Sequence, residues 1–406
     1  MNTPIWPLQD PQIRSAFEAN ALSQIDFFRG SLNAEGGFDV LDHDGTPMKG
    51  QPQELHVTTR MVHSYALAHA WGASDCTPMI DAGMSAIWRH HRDAAHGGYA
   101  WSILQGAHHD VTKLAYGHVF VLLAASSAKV AGHDLADTVL TDIEGVIDRH
   151  FWDEERGLLN EEFASDWAPI SEYRGMNANM HGAEAMLAAF EATGRDVFLH
   201  RAGRILNFFT KDIAPEFAWR IPEHYDLNWQ FTHEYEGNPM FRPAGTTPGH
   251  ALEFGRLLLQ YRELTGNDDA ALADRARRLI ETALNDAWLD DGGLAYTVAI
   301  DGSVLRDSRY WWPVTEGIGA LSALMKADPQ PQDAQWFTRL WTFAQAHFID
   351  AQRGGWYPEI GSDGLPTAVQ FSGKPDIYHS LQGVLYPLCP GNAGMFGSLA
   401  RSRQPR

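Results

Sequence analysis

A short motif recurs along the chain: a small-residue turn, usually Gly-Gly, followed by an aromatic or apolar residue. It stands at Gly36-Gly37-Phe38, Gly97-Gly98-Tyr99, Gly157-Leu158, Gly292-Gly293-Leu294 and Gly354-Gly355-Trp356, with a weaker copy at Phe217-Ala218-Trp219. Successive copies lie about 60 residues apart. The interval is longer only where the fourth unit carries a Trp-, Asn- and Tyr-rich insertion, Asp226 to Phe241. Self-similarity at a fixed interval restricts the fold to stacked copies of one supersecondary unit.

Each turn leads into a polar excursion, with Asp-Gly at Asp44-Gly45, Asp301-Gly302 and Asp363-Gly364, and this predicts a short β-hairpin. A helical pattern then begins in every unit, over 57–71, 115–130, 177–193, 250–264, 314–325 and 377–388. A second helix follows the first five, over 78–91, 135–150, 195–211, 269–286 and 331–349, and residues 11–30 supply the one missing from the end. The period is not the ~34 residues of a tetratricopeptide array, and polar end caps are lacking. Six helical hairpins without caps predict an all-α chain closed into an (α/α)6 barrel, its glycine- and alanine-rich helices inside and its short β-hairpins in the loops at the mouth. Residues 1–406 are expected to form one catalytic domain.

Composition narrows the function. A chain of 406 residues with 44% hydrophobic and 11% aromatic content can bury a large core. No apolar run reaches the roughly 18 residues needed to span a bilayer, so no membrane partner is expected. The start, with Pro7, Asp10 and Pro11, lacks a basic segment followed by an apolar one, and a cytoplasmic location is expected. Cys76 and Cys389 are too few for a disulfide framework or a thiolate metal site and read as buried thiols. A formal charge of −20 with no basic run argues against nucleic acid as a partner.

The chemistry is concentrated where the inner helices start. Gly245 to Leu258 joins a turn to a helix, with Thr246 or Thr247 placed to cap it, Pro248 in its first turn, and His250 and Glu253 on one face. When the units are superposed by their inner helices, the first turns carry Arg60, Tyr116 or His118, His181, His250, Glu316 and His379. One turn later come His63, Glu184, Glu253 and Gln382. A core built for stability alone would place Leu, Val or Ala there. The mouth is therefore expected to converge imidazole, carboxylate and guanidinium on a small-molecule ligand. Trp101, Trp229, Trp311, Trp312 and Trp356 could offer flat faces to a sugar ring, although each is also a fair core residue.

Imidazole accepts and returns a proton near neutral pH, which suits abstraction beside a carbonyl and delivery to the neighbouring carbon. A glycoside hydrolase would instead need a carboxyl pair, Glu253 with Glu316 or Asp376, and a sugar-binding module would need no proton transfer at all. The pairs His181/Glu184 and His250/Glu253 have a spacing that could ligate a cation on a helix face, but no His-Glu-x-x-His run occurs. The doublets His90-His91 and His108-His109 read as surface or loop positions. Neither a metal nor any other cofactor is expected.

Several separated strings resemble, in order, the N-acylglucosamine 2-epimerase family. They are Thr59-Arg60-Met61, Glu172 to His181, Gly245 to Arg256, Trp312-Pro313-Val314-Thr315-Glu316 and Asp376-Ile377-Tyr378-His379. The resemblance covers nearly the whole chain and is closest to the aldose–ketose isomerase branch, of the D-mannose and sulfoquinovose isomerase types. It implies an (α/α)6 barrel, no metal, and His250 and His379 as the acid/base pair. It also implies Arg60, Asn177, His181, Glu253 and Glu316 as ligands of a monosaccharide, to which Trp312 and Asp376 are added.

Departures bear on the substrate. Met240 and Pro375 stand where sulfosugar-type members would carry a basic residue and a Gln, and His56 stands where members often have Trp. A neutral hexose follows, because an anion would be repelled by Glu253 and Glu316. Interconversion of D-mannose and D-fructose is expected, with D-lyxose and D-xylulose as a further pair. His379, helped by His181, would open the ring, and His250 would carry the C2 proton to C1 through a cis-enediol. Residue inventory alone leaves 2-epimerisation and sulfoquinovose isomerisation open, and it leaves the oligomeric state undetermined.

Overall fold

The computed structural model describes residues 6–233, 235, 237–238, 240–266 and 269–402; three positions of the Asp226–Phe241 insertion, 234, 236 and 239, lie outside the described residues. In chain order the helices are α1 (Pro11–Phe28), α2 (Leu55–Trp71), α3 (Thr77–Ala86), α4 (Ala115–Val130), α5 (Ala136–Val146), α6 (Met176–Thr193), α7 (Asp196–Asn207), α8 (Pro248–Leu264), α9 (Ala270–Ala287), α10 (Trp311–Ala327), α11 (Pro331–His347), α12 (Tyr378–Leu388) and α13 (Met395–Ser402).

Six of them form a closed inner ring. Helix α2 packs on α4, α4 on α6, α6 on α8, α8 on α10, α10 on α12, and α12 returns to α2. An outer helix backs each one: α3 behind α2, α5 behind α4, α7 behind α6, α9 behind α8, α11 behind α10 and α1 behind α12. This is the (α/α)6 barrel that the repeat predicts. The inner helices are buried almost all round, whereas α9 and α11 bury one stripe and expose the opposite face. Local signals set the ends. Asp10 accepts from the backbone N–H of Gln12 ahead of Pro11, Gln330 and Asp333 form a capping box around Pro331, and Gly72 ends α2 in the left-handed region. Thr247 occupies the N-cap position of α8, but its hydroxyl makes no capping bond.

The expected hairpins are present, and they are also sewn together. The two or three residues before an inner helix pair with the hairpin of the next unit: Gln53 with Ile103, Lys113 with Phe163, Arg174 with Tyr225, Thr246 with Val298, and Arg309 with Ile360. Lys374 pairs with Leu41 and closes the belt from the sixth unit to the first. Buried cations in the same segments reach back to the glycine turns. Lys113 donates to Asp93 at 2.8 Å, and Lys374 donates to Asp350 at 2.8 Å and to the carbonyl of Gly354 at 2.7 Å.

The weak fourth copy of the turn is structurally genuine. Where other units place glycines at positive φ, this one forces Ala218 and Trp219 to φ values of 51° and 68°. Two expectations change. His91 is fully buried, its Nδ1 against the carbonyl of Ala100, because its ring turns under the hairpin instead of outward. Helix α13, which the repeat does not announce, packs on α2 and α12 and sets Phe396 edge-on to His63 at the end of the barrel away from the hairpins. Cys76 and Cys389 are buried free thiols. Among the described residues no helix is long and apolar enough to cross a membrane.

Candidate active site

At the starts of the inner helices a cleft of about 570 Å³ opens between the hairpins. Arg60, Asn177, His181, His250, Trp312, Asp376 and His379 all line it, delivered by α2, α6, α8, α10 and the entry to α12. Tyr116, one of two residues considered for the second unit, lines it as well. His118 does not. Its Nδ1 faces the carbonyl of Leu114 and its Nε2 accepts from the backbone of Tyr99.

Three imidazoles share one arrangement. His250 Nδ1 lies 2.9 Å from Glu223, His379 Nδ1 lies 2.8 Å from Glu316, and His181 Nδ1 lies 3.1 Å from Glu184. A carboxylate opposite Nδ1 makes that nitrogen the donor, so Nε2 keeps a free lone pair on the cleft side. Burial holds His181 down to about 4, against the opposing pull of Glu184, and burial likewise lowers His379 against Glu316. His181 therefore enters the cleft neutral at pH 7.

Glu253 and Glu316, expected to touch the sugar, lie one layer beneath the cleft and do not line it. The reason is Arg256, which is buried and approaches Glu316 at 3.4 Å, Glu253 at 3.2 Å and Glu184 at 3.8 Å, and donates to Tyr386 at 2.6 Å. Burial would raise the Glu316 and Glu184 carboxyls. Arg256 and the histidine hydrogen bonds overcome it and hold both below the usual range. Glu253 has no imidazole on it at hydrogen-bond distance; burial, with Glu316 and Glu184 beside it, pushes its carboxyl well up.

One guanidinium faces the cleft directly. Arg60 is held between the rings of Phe120 and Tyr378, at 4.6 and 4.7 Å from their centroids, and donates to Tyr116 at 2.8 Å. Asp376 sits 3.5 Å from it and also accepts from the backbone of Tyr378. Asn177 presents a side-chain carbonyl with no protein partner among the described residues. Trp312 lies beside both acid/base candidates, its ring centroid 5.0 Å from that of His250 and 5.6 Å from that of His379, tilted by 33° and 36°. Trp311 lines the cleft and Trp101 backs it, whereas Trp229 and Trp356 pack in the wall among Phe208, Phe209 and Trp341.

His181, Glu184 and Glu253 bring one ligand atom each within 4.8 Å, a spacing that could hold a cation. Part of their bonding capacity is taken and a cation is already beside them, although Oε2 of Glu253 has no partner among the described residues. His181 donates to Glu184, Tyr378 donates to the same carboxylate, and Arg256 already supplies the positive charge between Glu184 and Glu253. The other spacing considered, His250 with Glu253, does not converge, because His250 turns to Glu223.

Several cleft residues carry no helix-start signal. Met240 and Phe241 come from the end of the fourth-unit insertion, tied down by the carbonyl of Met240 accepting from Tyr296 and by Arg242 donating to Glu162 at 2.6 Å. Phe371 and Pro375 come from the loop before α12. Glu223 lies in the loop before the insertion, in Pro222-Glu223-His224, where a lone acidic residue gives no pattern to read.

The family model described as N-acylglucosamine 2-epimerase matches residues 36–383. The chain is 36% identical over 394 residues to a D-mannose isomerase of Thermobifida fusca, covering 95% of this chain and 97% of that one. It is 37% identical over 372 residues to a D-mannose isomerase of Pseudomonas cannabina pv. alisalensis, covering 89% and 90%. Among solved structures, a crystal structure of D-mannose isomerase superposes with a TM-score of 0.87 at 29% identity, over 92% of this chain and 97% of that one.

Proposed function

The chain belongs to the N-acylglucosamine 2-epimerase family, and from that premise we propose that it is an aldose–ketose isomerase interconverting D-mannose and D-fructose, with D-lyxose and D-xylulose as a weaker pair. The single barrel, residues 1–406, is its catalytic domain. The observation that supports this most is the trio of carboxylate-backed imidazoles around one guanidinium, His250, His379 and His181 with Arg60. Such a set moves protons and stabilises an enediolate, and among the described residues the cleft lining offers one carboxylate, Asp376, where glycosidic cleavage would use a pair.

In this reading Nε2 of His379, with His181, exchanges protons with the ring oxygen and the C1 hydroxyl until the sugar opens. His250 Nε2 then takes the C2 proton. The electron pair moves into a C1–C2 double bond while Arg60 bears the developing charge on oxygen. The same imidazolium returns the proton to C1, and the C2 hydroxyl proton passes to the C1 oxygen, so that C1 becomes a hydroxymethyl group as the C2 ketone forms. Glu223 and Glu316 favour the imidazolium at each step by their bonds to Nδ1. Glu316 acts through His379, and Arg256 with Glu253 acts on the carboxylates beneath the cleft, not on the sugar.

A 2-epimerase reading is favoured by one feature: His250 and His379 flank the same Trp312, so a second acid stands near the opposite face of C2. The deciding experiment incubates the purified protein with D-mannose and follows fructose and glucose by chromatography, with sulfoquinovose as a competing substrate. Fructose should form first and the neutral sugar should be preferred. Faster formation of glucose would make it an epimerase, and a preference for sulfoquinovose would overturn the neutral-sugar assignment.

A further inference from the structure

A fourth histidine lines the cleft without the support the other three have. His56 is 6% exposed, and among the described residues no hydrogen bond reaches its ring. The carboxylate of Glu54 is 3.5 Å from Nδ1, too far to satisfy it. The ring is nonetheless fixed in plane, stacked on Trp101 with centroids 5.1 Å apart and planes 6° apart, with Phe241 edge-on at 5.7 Å. A buried imidazole with unmet hydrogen-bonding capacity costs stability unless a ligand supplies the partner. Burial and the neighbouring Arg60 hold it well below its ordinary pKa, so it meets a ligand as a neutral donor and acceptor.

Its position within the cleft indicates which part of the ligand that is. The two acid/base histidines lie against Trp312, whereas His56 lies with Trp101, Tyr116 and Phe241, and none of its ring contacts is to His250, His379 or Trp312. A hexose whose C1 and C2 sit between His250 and His379 extends its other end away from Trp312. Resting on the isomerase reading above, we infer that His56 is a specificity-determining residue, hydrogen-bonding the C6 hydroxyl of the hexose and setting the preference for six-carbon sugars with a free C6 hydroxyl.

The test is a cycle of enzyme variant against substrate. D-Mannose, 6-deoxy-D-mannose and D-lyxose are compared on the wild-type protein and on His56→Phe, which keeps the stacked plane and removes both nitrogens. The wild type should favour D-mannose over 6-deoxy-D-mannose by about tenfold in kcat/KM, the scale of one buried neutral hydrogen bond. His56→Phe should shrink that ratio to about one, through D-mannose falling much more than the other two sugars. His56→Gln, which can still donate and accept, should keep part of the ratio and serves also if the phenylalanine variant folds poorly. Equal losses on all three sugars, or a wild-type ratio already near one, would overturn the inference while leaving the isomerase intact. If none of the three sugars is turned over by the wild type, the isomerase reading fails and the inference with it.

Discussion

Nδ1 of His250 donates to Oε1 of Glu223 across 2.9 Å, although the two residues are 27 positions apart. The same oxygen accepts from the backbone N–H of Thr247 at 3.1 Å, so the first turn of α8 and the imidazole it carries are positioned by one carboxylate. Replacing Glu223 by Gln would turn the ring tautomer over or leave it unpaired. Steady-state kinetics of Glu223→Gln should show kcat lowered about 10–100-fold with a small change in KM. A KM effect alone would mean that Glu223 supports the cleft wall and not the base.

The two histidines proposed as the acid/base pair, His250 and His379, should fail differently. Losing a positioned acid/base group costs about 10²–10⁴-fold. His250→Ala should bind D-mannose yet incorporate no deuterium at C1 of fructose in D₂O, whereas His379→Ala should regain part of its rate on a largely open-chain aldose. Recovery by His250→Ala instead would reverse the roles, and near-normal rates in both would remove them from the chemistry.

Exhaustive chelation should leave turnover unchanged, because Arg256, Tyr378 and His181 already engage the one carboxylate cluster that has cation spacing among the described residues. Activity lost to a chelator and restored by Mn²⁺ or Zn²⁺ would overturn the metal-free mechanism.

Stability should fall as pH falls from about 6.5. Burial holds His63 and His91 at about 4 and His118 at about 3 in the folded chain. Unfolding returns each to about 6.5, so within that window the unfolded chain binds protons the folded chain refuses. The loss is on the order of 2 kcal/mol per histidine by pH 5. Urea midpoints at pH 7 and pH 5 measure it; coincident midpoints would mean that these rings are protonated without cost.

Ala218→Gly should raise the unfolding free energy by roughly 0.5 kcal/mol, since Ala218 holds a left-handed φ of 51° that glycine adopts freely. Gly97→Ala should lower it by about 1 kcal/mol, because its φ is 79° with open space where a Cβ would stand. Denaturant titration of both gives the signs, and equal signs would contradict the repeat's conformational origin.

The repeat made the barrel legible because a turn at positive φ and a buried helix each leave a local compositional trace. Residues at the helix starts were legible for the same reason: His181, His250 and His379 occupy equivalent positions, and closure of a ring must bring equivalent positions together. Their partners followed different rules. Glu184 and Glu316 lay on superposed helices and could be seen, but their engagement with Arg256, which drew Glu253 and Glu316 out of the cleft, depends on side-chain reach across the ring. Glu223, Met240 and Phe371 come from irregular segments whose course is set by tertiary contacts. The belt was hidden because the pairing joins residues of neighbouring units, where two-residue strands are too short to show an alternation.

Helix α1 fills the outer slot behind α12, the helix that carries His379, with Gln24 facing the carbonyl of Ser380 across 356 positions of chain. During synthesis the flank of α1 that α12 will cover is therefore made first and covered last. Five hairpins can stack in order as they emerge, but the ring stays open, and His379 is missing from it, until α12 has been translated. Ring closure, which brings His379 to the same cleft as His250, is therefore expected to be the last step of assembly.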